Sequence, residues 1–446
     1  MAAPTPDEQA KELGESQPPE ENQHTSPPTL VVEDGIRGLF QVIGVFCIIF
    51  NIWGANFAFG SFQSFYTLTY LPSSSASAIS WIGTVQAWLL IVGGLFSGPL
   101  LDLGYYPTAL LVGSILSVLG FMMLSLSREY YSIFLSQGIC MGAGFGLLYI
   151  PSIALVSRSF ARKRALALGI ATSGAPAGGI IYTIMFNQLI SNLGFGWTVR
   201  VMGFLMLALF IIAAGLLLWH GDNTKRIQGN RPRRLIDFRA IKDLPFWSFT
   251  AANFFLYLGY ITPYYYIPTY AQTKLGTSRS LASYILIIAQ GASIIGRVGT
   301  TVFAHYYGSM ISWVVCGMIS GILCLCWISA DSLARFIAFA AFYGKETPSG
   351  ISGALIPLPP SVFPHVCPDP QTIGTWLGMA QSFSSFASLI GPPIAGALAS
   401  IGSEGSSDLN FLSIQLFSGI VMAFGACELL LLWYLLYRLR DKKGLF

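Results

Sequence analysis

Charge is the scarce material in this chain. Asp, Glu, Lys and Arg make up 10% of its 446 residues, against about a quarter in an ordinary water-soluble domain, so a large solvated surface cannot be built from it. Histidine is rarer still. His24, His220, His305 and His365 are scattered through predicted tail, loops and span ends, and nothing in their spacing or that of the seven cysteines matches a metal site. No nucleophile elbow and no phosphate-cradling glycine loop stands in the sequence. An enzyme is therefore not expected, no cofactor is expected, and the lack of a nucleotide-binding segment argues against an ATP-driven pump. A basic module of the kind that grips nucleic acid is missing as well.

Apolar residues fill the space that charge leaves. They account for 54% of the chain and fall into twelve long runs, near 39–62, 79–101, 107–127, 131–157, 164–190 and 197–219, then 246–270, 281–304, 309–330, 333–361, 372–400 and 410–437. A helix of about 20 such residues crosses the hydrocarbon layer, and helical pairing is forced because lipid offers no partner to an unpaired peptide group. The pattern predicts an all-α membrane protein of twelve transmembrane helices in two six-helix halves. Its expected divisions are a disordered tail over 1–33, a first half over 34–219, a basic linker over 220–245, a second half over 246–437 and a short tail over 438–446. The first 33 residues are rich in Pro, Glu, Gln, Ser and Thr, with almost no large apolar side chain before Leu30. They lack the basic start and apolar core of a secretory signal.

Lys and Arg are unevenly shared between the two sides. With both termini on one side, that side holds seventeen of them, including Arg158, Arg162, Lys163, Arg164 and seven in the central linker, and the other side holds five. The imbalance predicts cytoplasmic termini and a multi-pass protein of the plasma membrane. The linker could also touch anionic lipid. The seven cysteines lie mostly in apolar runs, where they are expected as single small hydrophobes.

Small residues recur at helical spacing. Gly138, Gly142 and Gly146 line one face of span four, and span five carries Gly169, Ser173 and Ala177 together with Gly174, Gly178 and a mid-span Pro176. Span eleven has Gly374 and Gly378, then Gly391-Pro392-Pro393. Such faces let backbones approach where no hydrophobic force draws helices together. Breaks at matching places in two halves are expected of carriers whose halves rock about a central site.

The run Ser159-Phe-Ala-Arg-Lys-Arg-Ala-Leu-Ala-Leu-Gly-Ile-Ala-Thr-Ser-Gly174 resembles the signature at the start of span five in the monocarboxylate porter family of the major facilitator superfamily. Asp34-Gly35 is similar to that family's other short signature, with Leu39 and Phe40 only partly matching the aromatic residues that follow it. Gly98-Pro-Leu-Leu-Asp102-Leu-Gly-Tyr-Tyr106 and Gly194-Phe-Gly-Trp197-Thr-Val-Arg200 resemble the fungal branch. The resemblance runs from Asp34 to the C-terminus. It implies the major facilitator fold and a substrate among monocarboxylates, vitamins or secondary metabolites.

Arg297 stands in span eight about two helical turns before its predicted inner end, a depth at which a charge must face a wet cavity or a partner. The resemblance assigns an Arg here to the substrate carboxylate, a task suited to a planar guanidinium fork; the alternative is an Arg paired to an acid or to helix-end carbonyls. The Asp that animal members place one turn earlier is Ser293 here, and the Lys of their span one corresponds to Ser61, so the proton-lactate mechanism does not carry over intact. Glu428 in span twelve is the candidate for proton coupling. Asp102, Arg162 and Arg164 fall where the resemblance puts conformational gating, and His305 stands after span eight where an Asp is expected. Lys345-Glu346-Thr347-Pro348 interrupts span ten, as either a gene-model error or a broken helix lining the cavity.

Spans one, four, seven and ten line the centre of this fold. Candidate substrate contacts there are Asn51, Asn56, Tyr149, Asn253, Tyr257 and Tyr264, a few polar anchors in an apolar wall suited to an organic solute. The sequence thus points to a secondary carrier of a small organic acid or related metabolite, with export of a secondary metabolite as one mode and the lipid bilayer and protons as its other candidate partners. A membrane sensor on the same scaffold, or an uptake carrier for a vitamin, is the alternative.

Overall fold

The computed structural model describes residues 35–102, 104–160, 164–219, 237–344, 358–368, 373–400 and 410–439. The expected tail over 1–33, most of the linker, Arg162, the stretch from Lys345 to Pro348 and the last residues lie outside these. Among the described residues there is no strand.

Span one runs through Gly35–Phe57 and Phe59–Phe65 into a wide turn at Tyr66–Tyr70, and spans two and three are Ala76–Asp102 and Tyr106–Leu124. Span four begins at Tyr130–Ile133, widens over Phe134–Met141 and continues as Gly142–Ser159. Span five opens as Arg164–Thr172, and a further helix, Gly174–Leu218, carries the rest of it and all of span six. At about 1.5 Å per residue that 45-residue helix is far too long for one crossing. It is broken at Gly194, whose φ of +68° belongs to the left-handed region that glycine enters without a Cβ clash. Spans seven, eight and nine are Leu244–Thr273, Arg279–Tyr307 and Ser309–Cys326. Span ten is described as Leu333–Gly344 and Leu358–Val366, and Ile373–Ser400 and Phe411–Leu439 complete the second half.

Glycine sets how closely these helices approach. A Cβ built on Gly54 of span one would stand 2.7 Å from the backbone of Gly178 in span five, and one on Gly93 of span two would stand 2.7 Å from Gly146 in span four. Gly142 likewise leaves 3.0 Å to the Gln86 backbone. The small-residue face of span four therefore packs as its spacing predicts. Span five differs: its packed face carries Gly174 and Gly178, whereas Gly169 faces open space. Ser173 keeps helical dihedrals, and Gly169, five residues before Gly174, stands on another side of the helix.

Span one lies along span five, span two along spans four and eleven, span seven along spans eleven and twelve, and span eight along span five. Side chains tie the halves together on the side away from the linker. Gln272 donates to Ser64 Oγ at 2.7 Å, Arg279 to Thr69 Oγ1 at 3.1 Å, Gln188 to the Tyr284 hydroxyl at 3.0 Å, and Ser77 to the Pro393 carbonyl at 2.9 Å. Tyr266 of span seven joins Ser80 of span two, at 2.9 Å, and the Pro392 carbonyl of span eleven, at 3.2 Å. On the linker side, Asp237 caps the short helix Phe238–Ile241 and accepts the Trp376 indole N–H at 3.1 Å, anchoring the linker's end to span eleven. The Arg239 backbone N–H, then that indole, hold the Asp237 carboxyl below the usual carboxylate range. A depressed carboxylate contributes its full stability above the ordinary value of about 3.9 and loses it only as pH falls through the lower folded value, so this anchor is insensitive to pH near neutrality.

Gly178→Leu drives a side chain into the Phe50 carbonyl, and overpacking of this kind costs about 1–3 kcal/mol or more. The expected result is loss of the monodisperse peak in size-exclusion chromatography of the detergent-solubilised protein. Gly169→Leu, made into open space, is expected to keep it.

Candidate functional site

The site is built on two broken helices. Proline has no N–H, so Pro176 leaves the Thr172 carbonyl, four residues earlier, without its ordinary helical donor. Arg297 Nη1 of span eight donates to that carbonyl at 3.4 Å. Span one breaks at Ala58, where Ser61 turns its N–H to the Ala58 carbonyl at 3.0 Å. The preceding carbonyl, that of Phe57, accepts from Gln290 Nε2 of span eight at 3.1 Å. Gln290 and Arg297 are seven residues apart, two turns along one helical face. One face of span eight therefore serves the breaks of both other helices.

Gln290 also fixes what can stand beside it. A Cβ at Gly179 would run into its Oε1 atom. Ser293, one turn from Arg297 on the same face, is 3% exposed and Arg297 itself 5%, so the guanidinium is held well inside the protein.

Rings surround it. The guanidinium lies over the Phe57 ring at 5.9 Å, and Phe57 lies 5.8 Å from both Trp53 and Tyr264. Trp53 meets Tyr149 of span four edge-on at 5.5 Å. Tyr264 continues to Tyr260 at 5.6 Å and to Tyr343 of span ten at 5.5 Å, and Tyr260 to Tyr257 at 6.3 Å. Asn253, Tyr257, Tyr260 and Tyr264 follow one another at four, three and four residues, a single stripe along span seven. Tyr149 joins the cluster around Arg297 through Trp53, and Tyr257 through Tyr260. These two rings are only partly covered, in contrast to the buried rings around them. A charged fork, two phenol hydroxyls and several π faces in one cluster can hold an anion.

The structure thus brings together Arg297, Tyr149, Tyr257 and Tyr264. Asn51 has a different role from the one its sequence suggested: it donates to the Met206 carbonyl at 3.0 Å and accepts from the Tyr182 hydroxyl at 2.8 Å, joining spans one, five and six. Asn56 donates to its own helix at Ile52, 2.8 Å away, next to the break. Asn253 donates to Gln381 Oε1 of span eleven at 3.2 Å, at the linker-side end of the span-seven stripe. Glu428 is half-buried on span twelve, which packs chiefly on spans seven, nine and eleven, whereas Arg297's span eight packs on five, seven, nine and ten. Asp102 ends span two and Arg164 begins span five. Trp53, Phe57 and Gln290 were not singled out from the sequence. Gln290 carried a usable signal, as an amide two turns from an Arg in an apolar span; the two rings did not, because 14% of the chain is aromatic.

A model of the Major Facilitator Superfamily matches residues 41–347 of this chain. The chain belongs to this superfamily. Among its relatives, the MFS-type transporter dbaD of Emericella nidulans is 36% identical over 86% of this chain and 84% of its own length. The aspyridones efflux protein apdF of the same organism is 36% identical over 88% of this chain and 77% of its own. The agnestins efflux protein AgnL12 of Paecilomyces divaricatus is 34% identical over 92% and 89%. The protein is a multi-pass membrane transporter of the major facilitator type, and its relatives are transporters, not enzymes.

In such a carrier a break in a span is a place to bend. Pro176→Ala gives the Thr172 carbonyl a backbone donor again and removes an interior proline, a change of about 3 kcal/mol in helix preference. The expected outcome is an unfolding temperature equal to or above that of the wild type, together with slower solute movement in proteoliposomes. Raised stability with unchanged turnover would reduce the break to a packing detail.

Proposed function

We propose that this carrier exports an organic acid and that Arg297 is the group that holds the acid. The observation that carries the reading is the buried guanidinium at the meeting of spans one, five and eight, over the Phe57 ring in a cluster that includes Tyr149 and Tyr257. A charge at that depth has a large desolvation cost, and an anionic solute offsets part of it through two parallel charge-assisted hydrogen bonds. Tyr149 and Tyr257 add hydroxyl donors to the same oxygens. Asn253 and Gln381 are assigned to the solute's path toward the linker side, and Asp102, Arg162 and Arg164 to gating at that side's span ends.

Export is favoured over uptake by the relatives that carry efflux of fungal metabolites in their names. The likeness to monocarboxylate porters rests on the span-five run and on Arg297, and it supports an acid rather than a neutral cargo. The Lys and Arg imbalance supports cytoplasmic termini. Ser293 and Ser61 remove the usual proton-carrying pair from the centre, and Glu428 is left outside the proposed site.

Lys keeps the charge of Arg297 but loses the fork. A bidentate charge-assisted contact is worth about 2 kcal/mol, about thirtyfold in affinity. Arg297→Lys is therefore expected to weaken transport of an acid by at least tenfold while the protein still reaches the membrane and elutes as a single species. Comparing metabolites in cells and medium after gene deletion gives the physiological check: an acid retained in cells supports export, and unchanged transport in the Lys variant removes Arg297 from the site.

A further inference from the structure

We infer that the solute is a flat, conjugated acid, and that Trp53 and Phe57 are the residues that select it. This rests on the reading of Arg297 as the acid-holding group and names the chemistry of what is attached to the acid.

The surroundings of the guanidinium are unusual in kind. Spans one, four, seven and ten each place a ring at the centre: Trp53 and Phe57, Tyr149, Tyr257 with Tyr260 and Tyr264, and Tyr343. Two pairs stand at steep angles, 74° between Trp53 and Tyr149 and 89° between Tyr257 and Tyr260, whereas Phe57 is inclined 37° to both Trp53 and Tyr264, so the cluster presents both faces and edges. A saturated solute gains only area burial from such walls. A conjugated one gains edge-to-face or offset contact with each ring as well, about two- to tenfold in affinity per contact.

Placement of the charge adds a second restriction. Arg297 lies over the face of Phe57, so an anion held in its fork comes out beside that ring. A carboxylate or enolate oxygen in conjugation with the solute's own ring keeps acid and ring in one plane, and a flat acid held by the fork then lies alongside Phe57 with Trp53 and Tyr149 at its edge. A small hydroxy acid would satisfy the fork and leave Tyr149 and Tyr257 partly uncovered, as they stand now. Tyr149 and Tyr257, the only partly covered members of the set, are the ones that line the space such a ring would occupy.

The test compares three solutes of similar size in proteoliposomes containing the full chain: 2-naphthoate, its saturated counterpart decahydro-2-naphthoate, and neutral 2-naphthamide, each measured by half-saturation for exchange or by competition. The expected result is a preference of about tenfold or more for 2-naphthoate over the saturated acid. In Trp53→Leu the preference is expected to shrink to within about threefold, because 2-naphthoate loses ring contact as well as area and is weakened more than the saturated acid, which loses area alone. Trp53→Phe keeps a ring and is expected to keep most of the preference, which separates lost selectivity from lost folding. Equal half-saturation for the two acids in the wild type overturns the inference while leaving the Arg297 reading intact, as does a Trp53→Leu variant that weakens both acids alike. If 2-naphthamide matches 2-naphthoate and both exceed the saturated acid, ring selection stands and the acid-holding role of Arg297 fails. Saturable movement of none of the three overturns the inference.

Discussion

A carbonyl inside a membrane must be paired, and in this protein the pairing of two of them decides where the centre lies. Lipid supplies no donor, so a helix can bend only where another element takes over the group that the bend releases. Spans one and five bend at Ala58 and before Pro176, and span eight answers both, with Gln290 for Phe57 and Arg297 for Thr172. An unsatisfied group of this sort costs about 1–3 kcal/mol, so the three spans are linked energetically as well as by packing. A carboxylate arriving at Arg297 would compete with the Thr172 carbonyl for the same guanidinium. Binding and bending then draw on one set of hydrogen bonds, which is a physical route from cargo to conformation.

The rest of the scaffold keeps that centre in place. Glycine at positions 54, 178, 93 and 146 brings neighbouring backbones together without intervening side chains, and such close packing is what holds helices together in lipid. On the side away from the linker the two halves are laced by Gln272, Arg279, Gln188, Ser77 and Tyr266. Each of these is a single neutral or exposed polar contact of modest strength, about 1 kcal/mol net. A handful of such contacts seals one face firmly enough to define a state and weakly enough to be exchanged for contacts on the other.

Much of this was legible in the sequence, for reasons specific to membranes. Twelve apolar runs read as twelve crossings because lipid allows few other structures, and Arg297 stood out because a charge in an apolar run is costly. The four-residue glycine spacing of span four survived into the structure: Gly138, Gly142 and Gly146 all lie against the span-two backbone, although Gly138 stands in the widened segment. Of the two small-residue sets read in span five, Gly174 and Gly178 are the packed pair, and Gly169, five residues before Gly174, falls on another side of the helix. Asn51 was read as a solute contact because a polar residue facing a cavity and one joining helices look identical in one dimension. Trp53 and Phe57 were invisible for a simpler reason: in a chain so rich in rings, only distances between spans distinguish the rings around a charge from those that merely fill space.

The turn at Gly194 connects spans five and six with hardly any chain between them. Elsewhere in such proteins an external loop is where a protease nicks, an antibody docks or an inserted tag is tolerated. Here helix runs into helix through one left-handed glycine, and the adjoining Arg200 is fastened to Ser125 at 3.1 Å. That corner offers an outside agent no free strand to grasp, which leaves it little open to cleavage, labelling or engineering.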